Sequence, residues 1–209
     1  MFSEVSAILL CGGRSTRMGR DKGLIEWEGQ PAVVRTARLL RGLFPEVLAV
    51  TGPSRRYVEL LEPLGVAVLA DRIGGLGPLG GLYTGLSAST TEYSLAVACD
   101  MPRLRPELIS LLVGEIDPEV WAVVPQVRGS LEPLLAIYSR RCLPKLEELI
   151  DQRRLKLQEL CQLLPRKVIP EERLREADPE LESFLNLNRP GDLSALSPAS
   201  NSKENDYPL

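Results

Sequence analysis

Between Leu9 and Gly23 the chain runs LLCGGRSTRMGRDKG, which sets Gly12, Gly13 and Gly19 among Arg14, Arg17, Arg20 and Lys22. Glycines let a backbone approach a ligand closely and turn successive N–H groups toward it, while Arg and Lys add charge-assisted hydrogen bonds to phosphate oxygens. The stretch is therefore suited to a polyphosphate anion. A solvated basic turn is the plain alternative. It leaves unexplained why glycines and cations gather directly behind Val5 to Leu10, a run with the length and aliphatic content of a strand buried on both faces. Ligands of open α/β sheets bind at that edge. Neither the P-loop spacing G-x-x-x-x-G-K-[ST] nor the dinucleotide spacing G-x-G-x-x-G occurs within this stretch, which excludes it from those two kinds of phosphate loop.

A second group with chemical potential is Asp100, in Cys99-Asp100-Met101-Pro102, which closes another aliphatic run, Leu95 to Ala98. An acid there has no packing role. It suits Mg2+, a hard cation that takes one or two carboxylates together with phosphate oxygens and water, or else it caps the helix expected from Pro106. A third is Asp71, followed by Gly74, Gly75, Gly77, Gly80 and Gly81, again between an expected strand and an expected helix. That segment is either a flexible surface loop or a chain able to lie flat against a base or ribose, with helix N–H groups presented beyond Pro78. The sequence contains no histidine, which removes the commonest general base and metal ligand and every Ser-His or Cys-His nucleophile.

The elements that must position these groups follow from periodicity. Strands are expected at Val5 to Leu10, Val47 to Val50, Val66 to Ala70, Leu95 to Ala98 and Trp121 to Val124. Helices are expected from Pro31 to Leu43, around Tyr57 to Leu61, across Leu79 to Leu86, and around Leu108 to Leu112. This alternation specifies an α/β protein with a mostly parallel sheet covered on both sides. Arg128-Gly129-Ser130 then reads as a turn, and Leu134 to Tyr138 as a returning strand, so a small antiparallel excursion is expected. Lys145 to Leu164 reads as helical with a break near Asp151, and Phe184 to Leu187 as a last short strand.

With 209 residues, 44% hydrophobic and 25% charged, the chain has the size and composition of one globular domain. Its formal charge of -3 offers no basic face to nucleic acid or an anionic membrane, and no apolar run is long enough to span a bilayer. A small-molecule substrate in the cytoplasm is the resulting expectation. Cys11, Cys99, Cys142 and Cys161 lack the paired spacing of a zinc site. The Ser-, Pro- and Asn-rich residues 194–209 have the composition of a disordered tail, which leaves residues 1–193 as the domain.

Taken in order, these segments resemble the molybdenum cofactor guanylyltransferases, nucleotidyltransferases with a Rossmann-like fold. The first stretch is similar to their LAGGxSxRMGxDK signature, with Cys11 in place of alanine. Asp71 with Gly77-Pro78-Leu79-Gly80-Gly81 resembles D-x(5-6)-G-P-L-x-G, and Glu132 through Tyr138 resembles Q-P-L-h-A-h-Y. Asn186 through Leu193 resembles N-h-N-T-P-E-D-L, with Arg189 in place of threonine. Thr51-Gly52 departs from the asparagine that closes the family's second strand.

The resemblance implies a single-domain, Rossmann-like three-layer sandwich. It implies that Leu10, Cys11, Gly12, Gly13, Lys22, Thr51, Asp71, Gly80 and Asp100 bind the nucleotide, that Arg17 and Lys22 hold its triphosphate, and that Asp100 ligates Mg2+. The donor it implies is GTP and the acceptor the terminal phosphate of molybdopterin, with pyrophosphate released and other molybdenum cofactor proteins met transiently. The last two motifs would frame the acceptor, and Arg153 and Arg154 resemble a basic pair of that region or simply face solvent. Transfer to an acceptor phosphate that is already ionised requires no protein nucleophile, so the missing histidine is no obstacle. A related transferase using another base or acceptor, such as a molybdopterin cytidylyltransferase, and a nucleotide-binding protein without catalysis are the alternatives.

Overall fold

The computed structural model describes residues 1–12, 21–52 and 57–185. Along the chain come β1 (Val5–Cys11), the hairpin β2 (Glu26–Trp27) and β3 (Gln30–Pro31), α1 (Ala32–Leu43), β4 (Val47–Thr51), α2 (Val58–Leu61), β5 (Ala67–Ala70), α3 (Gly77–Ala88) and β6 (Tyr93–Ala98). There follow α4 (Pro106–Gly114), β7 (Ala122–Val127), β8 (Ser130–Leu131), β9 (Leu135–Ser139), α5 (Leu143–Asp151), α6 (Leu157–Leu163), β10 (Arg166–Ile169) and α7 (Glu171–Ala177). The main sheet has the order β10-β7-β9-β6-β1-β4-β5, with β8 paired to β7. Strands β6, β1, β4 and β5 are parallel, and β9 lies antiparallel between β6 and β7. The expected mostly parallel sheet with an antiparallel excursion is the observed architecture.

Burial explains why an unbroken aliphatic run makes the central strand. Every residue of β1 is buried, and alternate side chains enter different layers, as a strand's period of two requires. Ala7, Leu9 and Cys11 join the core beneath α1, α4 and α7, whereas Ile8 and Leu10 join the core beneath α3, α5 and α6. Helix α3 lies unusually close to this strand. A Cβ added to Gly85 would sit 2.5 Å from Ile8 Cγ2, and one on Gly81 would sit 3.1 Å from Leu10 Cδ2. These glycines therefore serve close packing of helix on sheet.

Near the carboxyl-terminal end of the described residues the structure departs from the sequence expectation. Phe184 lies in a single 3-10 turn, Glu182–Phe184, instead of opening a strand. The buried Asp178 carboxylate accepts hydrogen bonds from the Glu182 and Ser183 N–H groups and so holds the turn closed. Strand β10 was not expected, because Arg166 and Lys167 dilute its pattern, yet it extends the sheet edge parallel to β7. The helical stretch after Lys145 breaks after Asp151 as expected, giving α5 and α6, and Arg153 in the link adopts a left-handed φ of 56°. The expected last strand beyond Leu185, the Asn186–Leu193 motif and residues 194–209 lie outside the described residues. Among the described residues no helix is long and apolar enough to cross a membrane.

Candidate functional site

The strand order places β1 between β4 and β6; α1 leads from β1 to β4 on one side, and α3 leads from β5 back to β6 on the other. The carboxyl ends of β1 and β6 thus flank the point where the winding of the sheet reverses, the usual ligand crevice of such sheets. Leu10 pairs with Ala98, and the Cys99 N–H donates to Leu10 O at 3.2 Å. Cys11-Gly12 and Cys99-Asp100 consequently leave the sheet side by side. Apart from its own residue and chain neighbours, no described atom lies within 4 Å of a Cβ built on Gly12.

Lys22 and Asp100 come together across this crevice, with Lys22 Nζ 3.3 Å from Asp100 Oδ2. The two side chains are 30% and 16% exposed, so the pair is reachable from solvent. Asp100 does not cap α4. That helix begins at Pro106 behind Arg105, and no side chain caps it. Lys22 opens a single 3-10 turn, Lys22–Leu24, whose first N–H groups are organised by Asp21: its carboxylate accepts from Gly23 N at 3.1 Å. The same carboxylate oxygen accepts a short hydrogen bond from the Tyr57 hydroxyl. Burial, followed by that bond to Asp21, pushes the Tyr57 pKa far above its ordinary value, so the hydroxyl keeps its proton and remains a donor. In the sequence Asp21 falls on the aspartate of the quoted signature without a role, and Tyr57 is not singled out. An Asp before a turn is a local capping signal, but the partnership with a tyrosine 36 positions away is a tertiary fact.

The other expected residues separate into groups. Gly13, Arg14, Arg17, Gly19 and Arg20 lie outside the described residues. Thr51 is buried at the end of β4, where its hydroxyl donates to Gly52 O at 3.1 Å and its carbonyl accepts from Asp71 N at 2.8 Å. Asp71 stands just beyond β5, at the same sheet edge as Asp100. Its Oδ1 accepts from Ile73 N at 3.2 Å and from Thr84 Oγ1 at 3.1 Å. A Cβ on Gly80 would lie 2.9 Å from Leu76 Cβ and 3.0 Å from Asp71 Oδ2. Asp71 and Gly80 therefore have a structural task, closing the glycine-rich loop onto the start of α3.

On the far side of β6, Leu134 O accepts from Ala98 N at 3.0 Å, which brings the Glu132-Pro133-Leu134 segment beside Cys99 and Asp100. Burial raises the pKa of Glu132 above the ordinary carboxylate value. Arg154 is engaged by Glu159 at 2.6 Å on the protein surface, as a solvated helix face would be. Among the described residues, no three His, Cys, Asp or Glu side chains form a metal cluster. A divalent ion at Asp100 would accordingly depend on one carboxylate, water and phosphate oxygens, a donor set that fits Mg2+.

An α/β protein with a ligand crevice is thereby defined: a mostly parallel sheet whose reversal point carries a glycine, a lysine and a carboxylate. A family model for the MobA-like NTP transferase domain matches residues 7–168. A probable molybdenum cofactor guanylyltransferase of Pelotomaculum thermopropionicum is 35% identical, covering 91% of this chain and 90% of its own length. The molybdenum cofactor guanylyltransferase of Desulfosudis oleivorans is 32% identical over 90% of this chain and 91% of its own. Among solved structures, molybdopterin-guanine dinucleotide biosynthesis protein A from Archaeoglobus fulgidus superposes with a TM-score of 0.79 at 26% identity, covering 91% of this chain and 95% of that one. The chain belongs to the MobA-like NTP transferase family, and its homologues are nucleotidyltransferases.

Proposed function

We propose that the chain transfers GMP from GTP to the terminal phosphate of molybdopterin and releases pyrophosphate. The observation that carries this reading is the meeting of Lys22 with Asp100 at 3.3 Å at the sheet edge where Gly12 follows β1, in a chain whose relatives bear the guanylyltransferase name. A partly exposed ion pair of this kind contributes at most ~1 kcal/mol to stability. Its separation is thus easy, and each partner can exchange the other for a charge on the substrate.

Lys22 binds the triphosphate, and the main chain at Leu10, Cys11, Gly12 and Gly13 receives base and phosphates, with Arg17 adding positive charge from the same loop. Asp100 would hold Mg2+, which supplies charge for the non-bridging phosphate oxygens. Thr51, Asp71 and Gly80 stand on the nucleotide side and shape it through the loop they close. Glu132 and the segment after it lie on the acceptor side. The acceptor monoester, with a second pKa of about 6, is ionised at neutral pH and needs no base. Neutralising the leaving pyrophosphate is then the principal task of the loop cations.

The test is a pyrophosphate-release assay with the purified full chain, Mg2+, molybdopterin and each nucleoside triphosphate in turn. GTP should support turnover well above CTP or ATP, and it should raise the melting temperature most, because preferential binding stabilises the folded state. A preference for CTP would overturn the base assignment. Tight GTP binding without pyrophosphate release would overturn the reaction.

A further inference from the structure

Three observations converge on Tyr57. Its backbone has a left-handed φ of 70°, rare for a bulky side chain and sustained only where surrounding structure holds it. Its ring lies against the Lys22–Leu24 turn so tightly that a Cβ on Gly23 would fall 2.8 Å from the Tyr57 hydroxyl and 3.1 Å from Cζ. Its hydroxyl donates to the Asp21 oxygen that also accepts from Gly23 N, so the carboxylate of the residue before Lys22 joins the tyrosine to the backbone of the residue after it. Tyr57 enters from the connection between β4 and α2, whereas Asp100 enters from β6. The turn carrying Lys22 is therefore fixed from one side of the crevice while its ammonium faces the other.

We propose that Tyr57 is a positioning residue: through Asp21 it fixes the turn that aims Lys22 at the triphosphate, without itself touching substrate. The inference rests on the assignment of Lys22 to the triphosphate. It goes further in making Tyr57, at the start of α2, part of what shapes the phosphate site. Deleting the hydroxyl leaves the ring's packing in place and frees the turn to drift. A loss of aim acts only through the residue being aimed, so it must vanish once the ammonium is gone.

The experiment measures Mg2+·GTP affinity and melting temperature for the full chain and for Tyr57→Phe, Lys22→Met and the double variant. Lys22→Met should weaken binding by roughly 10- to 100-fold, the range for a charge-assisted hydrogen bond. Tyr57→Phe should weaken it by about 5-fold in the native background and by less than about 2-fold when Lys22 is already Met. Asp21→Asn keeps an acceptor for Gly23 N but removes its charge, and should give the same pattern at smaller amplitude. It serves as the second variant if the Phe protein folds poorly. Native affinity in Tyr57→Phe, or an equal loss in both backgrounds, would overturn the positioning role while leaving Lys22 in place. Native affinity in Lys22→Met would overturn the triphosphate assignment itself.

Discussion

At the amino edge of the sheet the Glu46 carboxylate accepts hydrogen bonds from the Ser6 and Ser89 hydroxyls and from both the N–H and the hydroxyl of Thr90; at the carboxyl edge Asp100 faces Lys22 across 3.3 Å. Both carboxylates tie neighbouring segments together, but with different kinds of partner. Glu46 is surrounded by neutral donors in fixed positions on β1 and on the turn after α3, which leave it satisfied without any ligand. Burial alone would raise its pKa, and the hydrogen bonds from Ser6, Thr90 and Ser89 together outweigh burial and lower it. Asp100 has a charged, partly exposed partner, and on the proposed reading a cation replaces it for Asp100 and an anion replaces Asp100 for Lys22. One end of the sheet is thus closed by its own donors, and the other carries the pair that the proposed function has substrate open.

That contrast is sharpened by substitutions, beginning with the largest effect. Asp100→Ala should reduce pyrophosphate release by about 1,000-fold or more, on the order of 4 kcal/mol of transition-state stabilisation. Its melting temperature should move by less than about 4 °C, since the partly exposed pair contributes little to folding. Lys22→Met should lower turnover by roughly 100-fold, near 3 kcal/mol, again with the fold intact by thermal denaturation. Gly85→Ala reverses the pattern. Its new Cβ would stand 2.5 Å from Ile8 Cγ2, so chemical denaturation should show a loss of about 1–3 kcal/mol.

The smallest effect expected is that of Glu46→Gln, a loss of about 1–2 kcal/mol in stability, with turnover at 25 °C unchanged. It also carries a pH signature. Because its folded pKa lies below the ordinary 4.5, the unfolded chain takes up the proton first. The stabilisation from Glu46 is therefore complete above that value and is lost as pH falls through the depressed folded pKa. Unfolding midpoints measured downward from pH 6 should converge for the native and Glu46→Gln proteins. A constant gap across that range would contradict the role given to the carboxylate.

The carboxyl edge was more legible in the sequence than the amino edge. Gly12, Lys22 and Asp100 announce themselves because each stands directly behind or close to a buried aliphatic run, and a residue there has no packing reason to be glycine or charged. Ser6, Glu46 and Ser89 are ordinary polar residues whose meeting depends on how β1, β4 and α3 end relative to one another, which local pattern does not encode. Tyr57 shows the same limit within the site, since nothing near it in the chain marks it as the partner of Asp21. Asp71 and Gly80 are legible as a motif, but the motif alone does not reveal that Thr84 and Ile73 engage the carboxylate. At the far end, Asp178 holds Glu182–Phe184 in a 3-10 turn and so takes Phe184 out of the expected strand, an effect of a buried carboxylate that periodicity could not register.

The most direct measurement for this account is the Mg2+ dependence of GTP affinity, followed by calorimetric titration of the native protein and of Asp100→Asn. Native affinity should rise at least about 10-fold between metal-free and millimolar Mg2+ conditions, as an added charge-assisted contact to the phosphates would produce. The Asn protein should bind GTP with nearly the same affinity in both. If Asp100→Asn shows the full native response to Mg2+, the metal is held elsewhere, and the reading of the Lys22–Asp100 pair as the opening of the phosphate site is wrong.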